Sequence, residues 1–294
     1  MKLLLNTLLI TTLITTLISA KEPLSKGSLE RMLQPKVSFE SSYITDASIK
    51  GSTGGYEVAK NKLRINNAFL GFAYTNQSFM WSDIADLPFG DGVSKPIELL
   101  HTFKIDAKLP YKISEKWFWI NSISGTSSFE NNSDDSFSAG AFSFASYKLD
   151  DEHTIQIGAF ASYHPIVTTV LPIISYSYRA RHQDGFKFVL GFPRTFVGYH
   201  LNKSTLLRLG MIYSSSVSKL SDESVIEKKG YVEGKDYMGN IGISLDFTKD
   251  LKVEVDVLYE LQRDINTYNA DGNLQDNYSV ETSVGTNFKI VYIF

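Results

Sequence analysis

The five histidines His101, His153, His164, His182 and His200 are the first residues to test for chemistry, because imidazole serves both as metal ligand and as general base. They are scattered, with no His-x-x-x-His pair, and the chain has no cysteine to complete a thiolate site. Their spacing therefore points to no metal centre. A serine hydrolase needs a base beside its nucleophile and a third group that orients the base. His200 lies near Ser204 and His164 follows Ser162, but serine is abundant, and neither Gly-x-Ser-x-Gly nor His-x-Ser-Asn-Gly occurs. The carboxylate pairs Asp134-Asp135 and Asp150-Asp151 sit in polar stretches where solvation accounts for them, and no glycine-rich phosphate loop is present. The expectation is a protein with no catalytic, cofactor or metal site.

A more informative charged set lies where polar and apolar residues alternate. Lys104, Asp106, Lys108, Arg179, Lys187, Arg208, Asp246, Glu254, Asp256 and Glu260 all oppose apolar neighbours, as do Glu98, Lys252, Glu281 and Lys289. On a strand such alternation puts the two classes on opposite faces. Arg or Lys on a lipid-facing barrel surface near the midplane costs roughly 2–4 kcal/mol, so these side chains are expected to line a lumen. The acids cluster over 246–260, whereas Lys104, Lys108, Arg179, Lys187 and Arg208 come from other runs, which predicts a field across that lumen. Such charges either tune the passage of solutes or pair with one another and fill the space.

The elements that must carry these residues are strands. Leu251, Val253, Val255, Val257, Tyr259 and Leu261 alternate with mostly polar residues, and similar runs occur at 99–111, 155–163 and 237–248. The runs are about 9–13 residues long, the length a tilted strand needs to cross a bilayer. Short connections are expected at 75–77, 113–115, 150–152, 182–185, 202–204 and 249–250. Longer loops are expected at 46–61, 83–96, 128–135, 218–235 and 263–277, of which 46–61 or 83–96 could fold inward. Short periplasmic turns facing longer extracellular loops are the pattern of an outer-membrane barrel. The fold class expected is all-β, an antiparallel transmembrane β-barrel of about fourteen strands over 36–294. Short runs near 78–82, 186–192 and 194–201 leave twelve as the alternative. The apolar set shifts by one residue within 62–75, which predicts a bulge near Asn66–Ala68.

Residues 1–20 have the order of a secretory leader: Lys2, an uncharged apolar block, then Ser19-Ala20. Residues 21–35 are read as a periplasmic lead-in. After Ala20 no apolar stretch is long enough for a membrane helix. The hydrophobic content of 43 % and net charge of −3 would pass for a soluble protein, and only the alternation betrays the membrane. No basic stripe exists to bind nucleic acid.

Phe288, Ile290, Tyr292 and Phe294 share one face of the final run. They resemble the terminal signal through which the barrel-assembly machinery recognises outer-membrane proteins, so that machinery and outer-membrane lipid are the partners expected. Further motifs are Leu171-Pro172, Asp184-Gly185 leading into Phe188-Val189-Leu190-Gly191-Phe192-Pro193-Arg194, and Tyr199-His200-Leu201-Asn202-Lys203. With these, 36–294 is similar to a family of bacterial outer-membrane β-barrels, a domain of unknown function. The resemblance implies fold and location and carries no substrate or catalytic residues. Two functions fit: a passive channel for ions or small polar solutes, or a non-transporting surface barrel acting through its loops.

Overall fold

The computed structural model describes residues 34–180 and 185–294. The expected leader, all but the last two residues of the lead-in, and most of the 182–185 turn lie outside them. Fifteen strand segments follow one another: β1 (Lys36–Ser48), β2 (Gly55–Asn66), β3 (Leu70–Ser82), β4 (Leu99–Lys112), β5 (Trp117–Phe129), β6 (Phe137–Lys148), β7 (His153–Tyr163), β8 (Thr168–Arg179), β9 (Gly185–Phe192), β10 (Arg194–His200), β11 (Thr205–Lys219), β12 (Tyr231–Asp246), β13 (Leu251–Tyr268), β14 (Leu274–Val280) and β15 (Ser283–Ile293). β14 and β15 are two parts of one stave, pairing in turn with the upper and lower halves of β13. β15 also pairs with β1 from Ile293↔Lys36 to Gly285↔Ile44, closing a fourteen-stranded antiparallel barrel. Closure pairs the strands around the ring at the level that all of them share, as hydrocarbon requires, where an unpaired N–H or C=O would be costly.

Odd-numbered residues of β4 and β13 (Ile105, Leu109, Tyr111, Val255, Val257, Tyr259) are exposed on the outer wall, as are Ile157, Val170, Leu209 and Ile241. This exterior is that of a membrane barrel. Its inward face has two layers. Towards the loop end, Ile44, Tyr56, Val58, Ile97, Leu100, Leu220, Val232, Leu258, Ile265 and Val280 form one hydrophobic core inside the barrel. Towards the turn end the interior is charged. The charged interior expected from the alternation thus occupies the turn end, and the core takes its place towards the loop end.

That core explains where the strand assignment from sequence goes astray. In β2, buried Tyr56 and Val58 point inward, whereas lower down Lys62 and Arg64 point inward and Leu63 and Ile65 outward. The apolar residues change faces within one strand, so 46–61 reads as a loop although the connection is only 49–54. The strand expected over 62–75 is really the β2–β3 hairpin. The supposed bulge is its turn, where the Asn67 side-chain oxygen accepts from the N–H groups of Phe69 and Leu70 at 2.8 and 2.7 Å. No turn occurs at 75–77, because β3 pairs with β4 continuously from Leu70↔Ala107 to Ser78↔Leu99. The same inward apolar residues lengthen β12 and β13, shrinking the expected loops 218–235 and 263–277 to 220–230 and 269–273.

The loop end is folded over. The tip of β11 crosses the mouth to β5: Lys219 bridges Phe129, the Glu130 N–H donates to the Lys219 carbonyl at 2.9 Å, and the Ser128 and Ser218 hydroxyls meet at 2.7 Å. The segment 83–98 folds inward, with the Trp81 indole N–H on the Ile97 carbonyl at 2.6 Å and Phe89 packed between Trp81 and Tyr278.

Candidate functional site

Alternation along each strand turns Lys104, Asp106, Lys108, Arg208, Glu254 and Asp256 into the lower lumen, and their contacts with one another define it. Arg208 on β11 sends one guanidinium nitrogen to Asp256 at 2.6 Å and the other to Glu254 at 2.7 Å. Both acids lie on β13, two strands away, and the intervening residue on β12 is Gly242, which pairs with Arg208 on one side and Asp256 on the other. Asn240 and Asn287 add amide donors to Asp256 at 3.1 and 3.2 Å. A second pair repeats the design. Arg64 on β2 reaches Asp106 on β4 at 2.5 Å across Gly71 of β3, and Lys108 approaches the same carboxylate at 3.4 Å. Acids and bases therefore meet locally instead of facing one another across the lumen.

The other expected residues are dispersed. Lys252 joins Glu254 at 3.7 Å and Asp246 at 4.0 Å, and Lys289 links Glu254 and Glu40 at 3.9 Å. Arg179 and Lys187 face each other on β8 and β9, and Lys187 shares a cavity with Arg208, Lys252 and Glu254. Glu260 sits higher, fully buried beside Arg263 and Ser283, between the core residues Leu258 and Ile265 along β13. Glu98 is exposed at the loop end with Lys95, and Glu281 is exposed at the break between β14 and β15. Phe288, Tyr292 and Phe294 are exposed, and Phe288 and Tyr292 lie on the β15 face opposite Asn287 and Lys289.

Sequence reasoning missed Lys36, Glu40, Lys62 and Arg64, although the outward alternation of Val37 and Phe39, and of Leu63 and Ile65, puts all four on the inner face. With them included, lumen cations (Lys36, Lys62, Arg64, Lys104, Lys108, Arg208, Lys252, Lys289) outnumber lumen carboxylates (Glu40, Asp106, Asp246, Glu254, Asp256). Among the described residues, no carboxylate comes within 4.0 Å of Lys36, Lys62 or Lys104. The remaining wall, β6 to β10, is different again. Phe142 and Phe144 stack inside it, followed by inward Phe160, Ile173, Val189 and Phe196. Where the apolar and charged sectors meet lies a cavity of about 470 Å³, lined by Gln156, Ile173, Ser175, Lys187, Val189, Phe192, Pro193, Arg194, Phe196, Leu206, Arg208, Lys252 and Glu254.

These features define a class, the membrane β-barrels whose polar interior is partly filled by their own wall and loops. No family model and no curated protein matches the chain. Among solved structures it is similar to an outer-membrane channel from Pseudomonas putida F1, at 10 % identity and TM-score 0.46, covering 94 % of this chain and 98 % of that one. It is also similar to the KdgM porin at 9 % identity and TM-score 0.40, with 88 % and 99 % covered. Omp33 of Acinetobacter baumannii matches at 10 % identity and TM-score 0.39, with 89 % and 98 % covered.

Proposed function

We propose that the protein is an outer-membrane channel that passes small solutes by diffusion and prefers anions. The observation that carries this reading is the excess of inward cations, several with no carboxylate partner, around an unfilled lower lumen. Unpaired ammonium groups in a narrow passage raise the local concentration of anions and repel cations. In this reading the leader 1–20 exports the chain, and Phe288, Ile290, Tyr292 and Phe294 present the wall to the assembly machinery and then to lipid. The test is conductance of purified protein in a planar bilayer under a potassium chloride gradient. The expected zero-current potential has the sign for chloride over potassium. Absence of conductance removes the reading.

The packing of the loop end favours a second reading, a surface barrel that acts through 83–98 and 220–230 and transports nothing. The same recording separates the two.

A further inference from the structure

The wall of the barrel is not level. β9 and β10 are 8 and 7 residues long, whereas β12 and β13 are 16 and 18. β8 finds a partner on β9 only from Ile174 to Arg179, and β10 pairs with β11 only up to Ile212. Above the hairpin tip at Phe192–Arg194 the upper parts of β8 and β11 therefore have no strand between them. Ser214, Ser215 and Ser216 are consecutive and all exposed, so both faces of β11 are open there. At the floor of this notch Phe192 packs on Tyr213, which packs on Tyr237. Flanking it on the outer wall, Val170 and Ile174 are exposed and apolar.

Directly beneath the notch is the 470 Å³ cavity, whose lining is divided. Ile173, Val189, Phe192 and Phe196 offer an apolar wall. Lys187 and Arg194 lie over the Phe196 ring, 5.9 and 5.7 Å from its centroid. Among the described residues neither has a carboxylate within 4.0 Å. Arg208 closes the floor; its Nε–H is buried and finds no acceptor among the described residues. Cations held beside apolar surface without counter-charges are costly, and an anion placed among them recovers that cost. An inorganic anion would leave the apolar wall unused, whereas an alkyl or aryl body would bury it.

We propose that this cavity binds small amphipathic anions, an apolar body with one acidic head, and that they reach it sideways from the outer leaflet through the notch between β8 and β11. The inference rests on the channel reading and deepens it by naming a solute class and a route. Octanoate is the probe, titrated calorimetrically against the full barrel in lipid nanodiscs, with empty discs as background. Saturable binding is expected. It should weaken about tenfold or more in Lys187→Gln/Arg194→Gln, whose folding is checked by heat-modifiable migration, and survive in Lys187→Arg. Octanol and acetate, each lacking one half of the ligand, should bind at least about tenfold more weakly. A bulky maleimide on Ser214→Cys, the sole thiol in the chain, should slow octanoate association; an unchanged rate overturns the lateral route. Binding no greater than in empty discs, or equal in the double variant, overturns the site, while chloride conductance in the same preparation leaves the channel reading standing. Saturable binding without conductance keeps the site and removes the channel.

Discussion

Gly71 and Gly242 each lie beneath an ion pair that spans their strand, Gly242 pairing with both partners and Gly71 with Asp106 alone. A Cβ on Gly242 would stand 2.2 Å from both an Asp256 carboxylate oxygen and the Val255 carbonyl. On Gly71 its nearest neighbours would be the Asp106 carboxylate and the Arg64 guanidinium, at 2.7–2.9 Å. The second obstruction is made of side-chain ends that can swing away; the first includes backbone. Gly242→Ala is therefore expected to destabilise the barrel by about 1–3 kcal/mol, the cost of overpacking, and Gly71→Ala by less. Urea unfolding midpoints of the two variants check the order. The inward direction of Arg208, Glu254 and Asp256 was legible because a charge cannot alternate onto the lipid face. Their pairing was not, because the glycine that lets an arginine reach across a strand has no signature of its own in an alternating run.

At the scale of elements, the same alternation located nearly every strand whose inward face is polar and failed where that face is apolar. β2 and the tops of β12 and β13 carry Tyr56, Val58, Val232 and Ile265 inward. Period two then marks neither face as the lipid side, and a strand reads as a loop. Loop contacts were out of reach for a different reason: they join residues far apart in sequence. The 164–167 connection shows it. His164 is buried, edge-on to Tyr231, and its Nδ1 accepts from the Ile166 N–H at 3.3 Å. Burial, reinforced by the nearby Lys219 charge and opposed by Glu233, lowers its pKa from the usual 6.5. A histidine with a lowered folded pKa binds its proton more readily once released. The seat of this loop is therefore fully stable above about pH 6.5 and weakens as pH falls below that value. Protection factors at 164–167, which divide out the intrinsic base-catalysed exchange rate, should fall between pH 7 and about pH 5 and lose that dependence in His164→Gln. Protection that is flat with pH in the wild type counts against this.

At the scale of the molecule, the lumen charge exceeds what the paired acids neutralise. Lys62→Glu/Lys104→Glu alters two unpaired cations and is expected to shift the zero-current potential towards potassium. The shift should shrink in 1 M salt, where the screening length falls to about 3 Å from about 10 Å at 0.1 M. An unchanged potential at low salt would place the selectivity elsewhere. The whole-barrel architecture was readable because lipid imposes one rule on every strand. The half-filled interior was not, since nothing forbids a barrel from keeping part of its core inside itself.

The uneven wall also bears on the lipid around it. Eight residues at about 3.3 Å rise and roughly 40° tilt climb only about 20 Å, against an apolar band of about 25 Å. Acyl chains beside β9 and β10 must shorten or splay to cover that side, while those beside β12 and β13 need not. The annulus is thus elastically strained on one flank, a cost of fractions of a kcal/mol per Å of mismatch. Such a barrel leans and sorts towards thin bilayers, and it carries with it a dimple in the leaflet above its shortest hairpin.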